Sequence, residues 1–383
     1  MRFKRSRLFW AFISLSLVSL FADVTYEGAR SIVGAYFRVL GATILVVGLA
    51  TISDLVGFLF RGLSGFIAGY SRSSRVYWLL IYIGYAINLF AVPLLAFTGY
   101  WEEALVLVIL ERLGKGLRTP ARDVVLAEVT EGIGRGKGFG LHEVFDQIGG
   151  FLGPSIVAYS MVSYASFHVS FLILFIPALT AMFFLTIAYS LYPRVKAITS
   201  APRGSSRVLP KKFWRFILVV VIASLGFIHW SLVAYYLKDS SVVADAYIPV
   251  LYMVAMASDA LIAFPIGYLY DRIGVKTLVL APLILATTTP MLFYSKSTIL
   301  VFAFTWGLAM GFYETVMRAC IADIVEPGSR AYAYGVYGVA FGLSWCIGNI
   351  VMSYLYMYSI TTIPLYTIVV ETIALITALA VVR

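Results

Sequence analysis

The stretch Gly267-Tyr268-Leu269-Tyr270-Asp271-Arg272-Ile273-Gly274-Val275-Lys276 governs the reading of the whole chain. A long apolar run precedes it and another follows. A Gly-rich turn carrying an Asp-Arg pair and a Lys, set between two membrane-length segments, reads as a short cytoplasmic loop. It reverses the chain between two spanning helices.

Composition supports a lipid solvent. The chain has 383 residues, 61% hydrophobic and 13% charged, whereas soluble domains carry about 25% charged residues. The apolar runs are longer than the roughly ten-residue alternating segments of a membrane β-barrel. Cutting at charged or Gly/Pro/Ser turns predicts twelve spans, at roughly 8–37, 42–68, 76–98, 104–126, 138–163, 169–191, 213–237, 247–269, 276–294, 298–322, 332–358 and 363–382. The basic start, Met1 to Arg7, continues into one long apolar segment with no small-x-small cleavage site. It reads as a retained first span rather than a removed leader. The two cysteines, Cys320 and Cys346, lie inside apolar runs and predict packing, not a disulfide framework or metal cluster. Gln147 is the single Gln, and Asn88 and Asn349 are the only Asn. Hyperthermophile proteins share that scarcity of amides.

The net charge of +10 is concentrated in alternate loops, so it is a topology signal and not a nucleic-acid footprint. Arg2, Lys4, Arg5 and Arg7 precede span one; Arg72 and Arg75 follow span two; Arg135 and Lys137 follow span four. The segment after span six holds Arg194, Lys196, Arg203, Arg207, Lys211 and Lys212. The opposite loops hold only Arg38, Lys238 and Lys296, beside Glu102, Glu103, Asp239 and Asp245. Both termini are therefore expected in the cytoplasm of a multi-pass plasma-membrane protein.

Residues 192–212 form the one long polar stretch, with Pro193, Pro202 and Pro210, and read as a linker between bundles at 1–191 and 213–383. The bundles look like repeats. Phe9-Trp10 matches Phe213-Trp214, and Ser53-Asp54 matches Ser258-Asp259. Ala127, Glu131, Arg135, Gly140 and Gly153 match Ala322, Glu326, Arg330, Gly335 and Gly348 at one offset.

Four places resemble signatures of the major facilitator superfamily. The opening stretch is similar to its loop signature G-x-x-x-D-R-x-G-x-K/R through Gly267, Asp271 and Arg272. The counterpart, Gly65-Phe66-Ile67-Ala68-Gly69, has Gly69 where the signature has Asp. Glu111-Arg112-Leu113-Gly114-Lys115-Gly116-Leu117-Arg118-Thr119-Pro120-Ala121-Arg122-Asp123 contains the R-x-x-x-G of proton-coupled members. It also resembles a poorly characterised prokaryotic branch, as does the run from Arg135 to His142. Gly149-Gly150-Phe151-Leu152-Gly153-Pro154 is similar to the G-x-x-x-G-P element of antiporters and exporters. Gly149 and Gly153 share a helix face and permit close approach; Pro154 permits a bend. Tight packing alone and bending both remain open.

Charges inside spans are costly and direct attention to function. Asp23, Glu27 and Arg30 share one face of span one; Glu111, Lys115, Arg118 and Arg122 form a stripe on span four with Arg112 beside it. His142 and Asp146 continue the Gly149–Gly153 face, and Glu314 and Arg318 are spaced as a pair on span ten. His229 is placed near the depth of Asp23 by the repeat alignment. A substrate and proton pathway is expected from Asp23, Glu27, Arg30, Glu111, Arg112, Lys115, Asp146, His229, Glu314 and Arg318. Conformational roles are expected for Gly65, Arg118, Arg122, Gly149, Gly153, Pro154, Gly267, Asp271 and Arg272. Asp54, Arg61 and Asp123 read as structural partners of neighbouring charges. A carboxylate held away from water can load and release a proton near neutral pH.

No phosphate loop, zinc helix motif or nucleophile elbow is present in the sequence. No enzymatic activity, cofactor or metal is expected. The resemblance implies an all-α membrane protein with twelve transmembrane helices in two pseudo-symmetric six-helix bundles. It implies secondary transport by alternating access, here proton-coupled export of a small organic solute by a monomer. The partners are then the lipid bilayer, the solute and protons, with no nucleic acid. Alternatives are a facilitator or symporter importing an anionic metabolite (through Arg30, Arg112 and Arg318), a metal exporter using Asp23 and His229, and a non-transporting sensor.

Overall fold

The computed structural model describes residues 2–71, 73–130, 135–195, 209–326 and 329–382. Most of the expected linker, residues 196–208, lies outside them, as does Glu131 of the repeat alignment. The described residues are helical and contain no strand.

Hydropathy and turn signals set the helix order. The helices are α1 Arg2–Val39, α2 Ile44–Ala50, α3 Ile52–Ser71, α4 Ser74–Leu94, α5 Trp101–Val129, α6 Arg135–Tyr164, α7 Phe167–Ile173 and α8 Phe175–Leu191. They continue as α9 Lys211–Leu225, α10 Trp230–Asp239, α11 Tyr247–Ile273, α12 Leu280–Tyr294, α13 Ile299–Ile324, α14 Arg330–Tyr358 and α15 Thr362–Val382. Three expected spans are each made of two helices: α2 with α3, α7 with α8, and α9 with α10. Counted so, the helices fill the twelve expected spans. Nine segments among the described residues are long and apolar enough to cross a membrane. One of them, Tyr247–Tyr294, contains both α11 and α12, and the charged α5 and α6 are not among the nine. The protein is an all-helical, multi-pass membrane protein.

The residues group into two compact units. The first contains Met1–Ser31 and Val56–Arg203; the second contains Ile32–Leu55 and Gly204–Arg383. The grouping follows contact rather than chain order: the end of α1, all of α2 and the start of α3 belong with the second unit. Two glycines make that close fit possible. A Cβ on Gly34 would lie 2.8 Å from Ser231 Cα, and one on Gly48 would lie 2.9 Å from Ser353 Cβ.

In the first unit, glycines again set helix separation. A Cβ on Gly84 of α4 would sit 2.7 Å from Arg118 Cβ of α5. A Cβ on Gly153 of α6 would sit 2.5 Å from Val24 O and 2.8 Å from Gly28 N of α1. Helix α6 continues through Pro154, and the glycines of this element let α6 pack closely on α1.

In the second unit, α9 and α10 are separated by Gly226–His229. The break leaves few backbone groups unsatisfied because side chains take over. Tyr366 donates to Leu225 O at 3.2 Å, and Trp306 Nε1 to Ile228 O at 2.8 Å. Trp345 Nε1 and Asn349 Nδ2 both donate to Phe227 O. The structure moves the expected turn at 267–276: Gly267–Ile273 are the last turns of α11, and the reversal falls in the short 3-10 segment Gly274–Val279. Helix α11 stops at Gly274, whose φ of +59° and ψ of −139° favour glycine. Arg272 lies over the Tyr268 ring, 4.5 Å from its centroid, and donates to its hydroxyl. Asp271 is exposed.

Candidate functional site

The first unit gathers most of the expected pathway residues into one polar cluster. Its frame is the α1–α6 contact just described. A Cβ on Gly149 would lie 2.8 Å from Asp23 Cβ, so the residue one turn earlier on α6, Asp146, is brought to the level of Asp23. The two carboxylates interact electrostatically, and Lys115 and Glu27 act on Asp23 as well.

Tyr26 is the hub. Its hydroxyl donates to Asp23 Oδ1. Lys115 Nζ stands 3.9 Å from its ring centroid, and the guanidinium carbons of Arg30 and Arg118 lie at 5.8 and 6.0 Å. One ring thus carries an acid on its edge and three cations near its face, an arrangement the π quadrupole favours. Tyr26 was not among the expected pathway residues. Its position three residues after Asp23 and one before Glu27, on the charged face of α1, was the available signal.

Several cations are already matched. Arg30 Nη1 lies 2.8 Å from Glu27 Oε1. Arg112 Nε is 3.4 Å from Glu111 Oε2, and Glu111 Oε1 accepts from Asn88 Nδ2 at 2.7 Å. Arg118 is 2% exposed and stacks over Tyr85 at 4.1 Å. Arg122 bonds Asp123 and donates to Ser19 Oγ at 2.8 Å. Asp123 is thus paired with a neighbouring charge, as expected.

His142 joins α6 to α1 and α5. Arg122 Nη1 lies 3.2 Å from His142 Nε2, and Ser16 Oγ lies 3.2 Å from Nδ1. A guanidinium can only donate, so Nε2 accepts and Nδ1 carries the ring proton to Ser16. Asp146 Oδ1 is 3.8 Å from the same Nε2.

Of the remaining expected residues, Asp54, His229, Gly267, Glu314 and Arg318 lie in the second unit, and Arg61 and Gly65 in the first. His229 caps α10: Nδ1 accepts from Ser231 N at 3.1 Å, so Nε2 carries the proton and donates to Asp54 Oδ2 at 3.1 Å. Asp54 therefore bonds an imidazole, and Arg61, two turns along α3, lies over the Phe58 ring. Glu314 is half-buried and Arg318 exposed, and both act on Tyr337. Gly65 and Gly267 have room for a methyl group, their nearest neighbours to a Cβ being 3.7 and 3.6 Å away. No group of three or more His, Cys, Asp or Glu capable of holding a metal ion occurs among the described residues.

Glu371 was missed. It is the one charged residue of α15 and is 1% exposed. A single acid in a 21-residue apolar helix was a signal in plain view.

Comparison with known proteins agrees with this architecture. The family model described as Major Facilitator Superfamily matches residues 8–238 and 228–383. An uncharacterized protein of Mycobacterium tuberculosis is 36% identical over 385 residues, covering 97% of this chain and 93% of that one. An uncharacterized MFS-type transporter of Methanocaldococcus jannaschii is 26% identical, with 90% of this chain and 88% of that one covered. Among solved structures, the nucleoside transporter NupG superposes with a TM-score of 0.74 at 15% identity, covering 97% of this chain and 98% of that one. A bacterial homolog of the human lysosomal transporter Spinster, inward-facing and unoccupied, gives 0.74 at 14% identity, covering 98% and 97%. At these identities the structures share the fold.

Proposed function

The chain belongs to the major facilitator superfamily of secondary transporters, and from that premise we propose that it exports a small organic solute in exchange for protons. The observation that carries the reading is the Asp23–Tyr26–Lys115 arrangement beside Asp146. Asp23 shares the Lys115 ammonium with Glu27 and stands beside Asp146, which Arg122 and Arg118 act on instead. The Tyr26 hydroxyl can donate to whichever charge state Asp23 holds. Like charges brought together favour uptake of a proton by one of them, and a cation entering the site favours its release. Solute and proton binding would then be linked through the same groups.

The reading treats residues 1–191 and 213–383 as the two bundles of a monomer, with both termini in the cytoplasm of the plasma membrane. Alternating access would part Ile32–Leu55 from the rest of the second unit in one half of the cycle. The exposed Asp271 would find its partner, an Arg or a helix N-terminus, in the other state.

Import of an anion is less favoured, because two of its three expected anchors, Arg30 and Arg112, already have carboxylate partners, and the third, Arg318, lies on α13 in the other unit. A metal exporter using Asp23 and His229 is disfavoured by the Asp54 bond of His229.

Reconstitution tests the proposal. Proteoliposomes carrying a pH-sensitive dye are challenged with a panel of organic solutes under an imposed pH gradient. Solute-dependent proton flux is expected in the wild type, and Asp23→Asn should abolish it while leaving solute exchange measurable. Active accumulation by both Asp23→Asn and Glu27→Gln would sink the assignment of coupling to α1.

A further inference from the structure

The second unit contains a buried acid for which the transport reading has no use. Neither carboxylate oxygen of Glu371 has a hydrogen-bond partner among the described residues. The carboxyl presses against the α9–α10 break: a Cβ on Gly226 would lie 3.0 Å from Glu371 Cδ and closer still to Oε1. Three buried hydroxyls lie on the surrounding helices: Ser224 on α9 and Tyr313 on α13, which face each other, and Thr367 on α15, which has no hydrogen-bond partner among the described residues. Thr367 is one turn before Glu371 on the same face. The Tyr313 hydroxyl faces Ser224 and lies within electrostatic reach of Glu371. Tyr366, which donates to Leu225 O, is also within reach of the acid.

Among the described residues, no charge is placed to balance an anion here. On α9 the basic residues are Lys211, Lys212 and Arg215 in its opening turns, and Arg215, the nearest along the helix, is about 16 Å from Gly226. Helix α12 carries no charged residue. On α13, Glu314 and Arg318 act on Tyr337, and Asp323 accepts from Tyr270. The single charge of α14 is Arg330 at its start, whose guanidinium bonds Val325 O and Ala322 O. Lys276, in the turn before α12, is exposed. A metal cation would need several oxygens. The carbonyls of Leu225, Phe227 and Ile228 at the break are already bonded to side chains. A neutral carboxyl needs none of these.

We propose that Glu371 is a proton-binding site, held as the neutral carboxylic acid against the α9–α10 break, and that release of its proton loosens that break. The anion left behind would draw the hydroxyls of Ser224, Tyr313 and Thr367 towards it. Those groups sit on three helices whose side chains also close the break, through Trp306 on α13 and Tyr366 on α15. The inference does not depend on coupling in the first unit, because its test reads the side chain directly.

Infrared difference spectroscopy of the purified full chain, titrated from acid to alkaline pH in choline chloride or sodium chloride, gives the answer. A protonated-carboxyl band is expected at neutral pH. It should shift in heavy water, vanish in Glu371→Gln and be indifferent to sodium. Persistence of the whole band in Glu371→Gln would overturn the proposal, and loss of the band on adding sodium would reassign the site to a metal cation. Gly226→Ala, whose methyl group intrudes on the carboxyl, should shift the band; an unshifted band would refute the geometry even where the Gln variant fails to fold. Trp306 and Trp345 donate to the break, so tryptophan emission should change at the pH where the band disappears. A band that titrates with no such change would sever the proton from the break.

Discussion

Replacing Gly153 and Gly150 by alanine, one at a time, should have opposite outcomes although three residues separate them. A methyl group at 153 would meet Val24 O at 2.5 Å, whereas carbon normally approaches a carbonyl oxygen no closer than about 3.3 Å. Helices α1 and α6 must then part by about 1 Å, because the obstacle is backbone and cannot rotate away. A methyl group at 150 meets nothing within 4 Å. Both substitutions gain the same helix propensity, about 1 kcal/mol, so the difference between them isolates the packing cost. Overpacking of this kind costs about 1–3 kcal/mol. For a unit of this size that corresponds to an apparent Tm about 2–12 °C lower for Gly153→Ala than for Gly150→Ala. The assay is thermal unfolding of purified protein in one detergent at one scan rate, since unfolding of such proteins is commonly irreversible. Equal melting of the two variants, or a lower value for Gly150→Ala, would refute the claim that α6 is seated on α1 by backbone contact.

Gly34→Val should free Ile32–Leu55 from the second unit, because its side chain has no room beside Ser231; maleimide should then modify the buried Cys346 several-fold faster while Cys320 serves as control, and unchanged labelling would count against the fit. Asp54→Ala removes the acceptor of His229 Nε2 inside the second unit and should cost about 1–3 kcal/mol, read as a lower melting temperature; no shift would show the bond to be incidental. Gly274→Ala should cost about 1–3 kcal/mol through its positive φ, and a variant as stable as the wild type would contradict that turn.

The fold was largely legible because burial in lipid leaves a one-dimensional record. Twelve apolar runs separated by charged turns became twelve spans. The breaks were not legible. Thr51, Leu174 and Gly226–His229 interrupt helices inside apolar runs, where hydropathy does not change. Proline did not mark them: Pro120, Pro154 and Pro265 lie inside unbroken helices. For the site, helical spacing placed Asp23, Glu27 and Arg30 correctly on one face. Partners on other helices could not be derived that way. Asp54 illustrates the difference. His229, 175 residues away, is bonded to it, a contact that helical spacing does not encode. Glu371 shows the opposite case, a visible charge overlooked because it matched no motif.

The closure of the α9–α10 break by side chains has a mechanical consequence. An ordinary kink is held by water or by strained backbone and can straighten by small degrees. This one is fastened by Tyr366, Trp306, Trp345 and Asn349, each filling a carbonyl that a continuous helix would have filled for itself. Straightening it would strand indole and amide donors in an apolar interior all at once. The joint is therefore loosened by loosening these bonds together. It behaves as a latch fastened from three neighbouring helices, and any motion of α10 against α9 must be transmitted to α13, α14 and α15 in the same event.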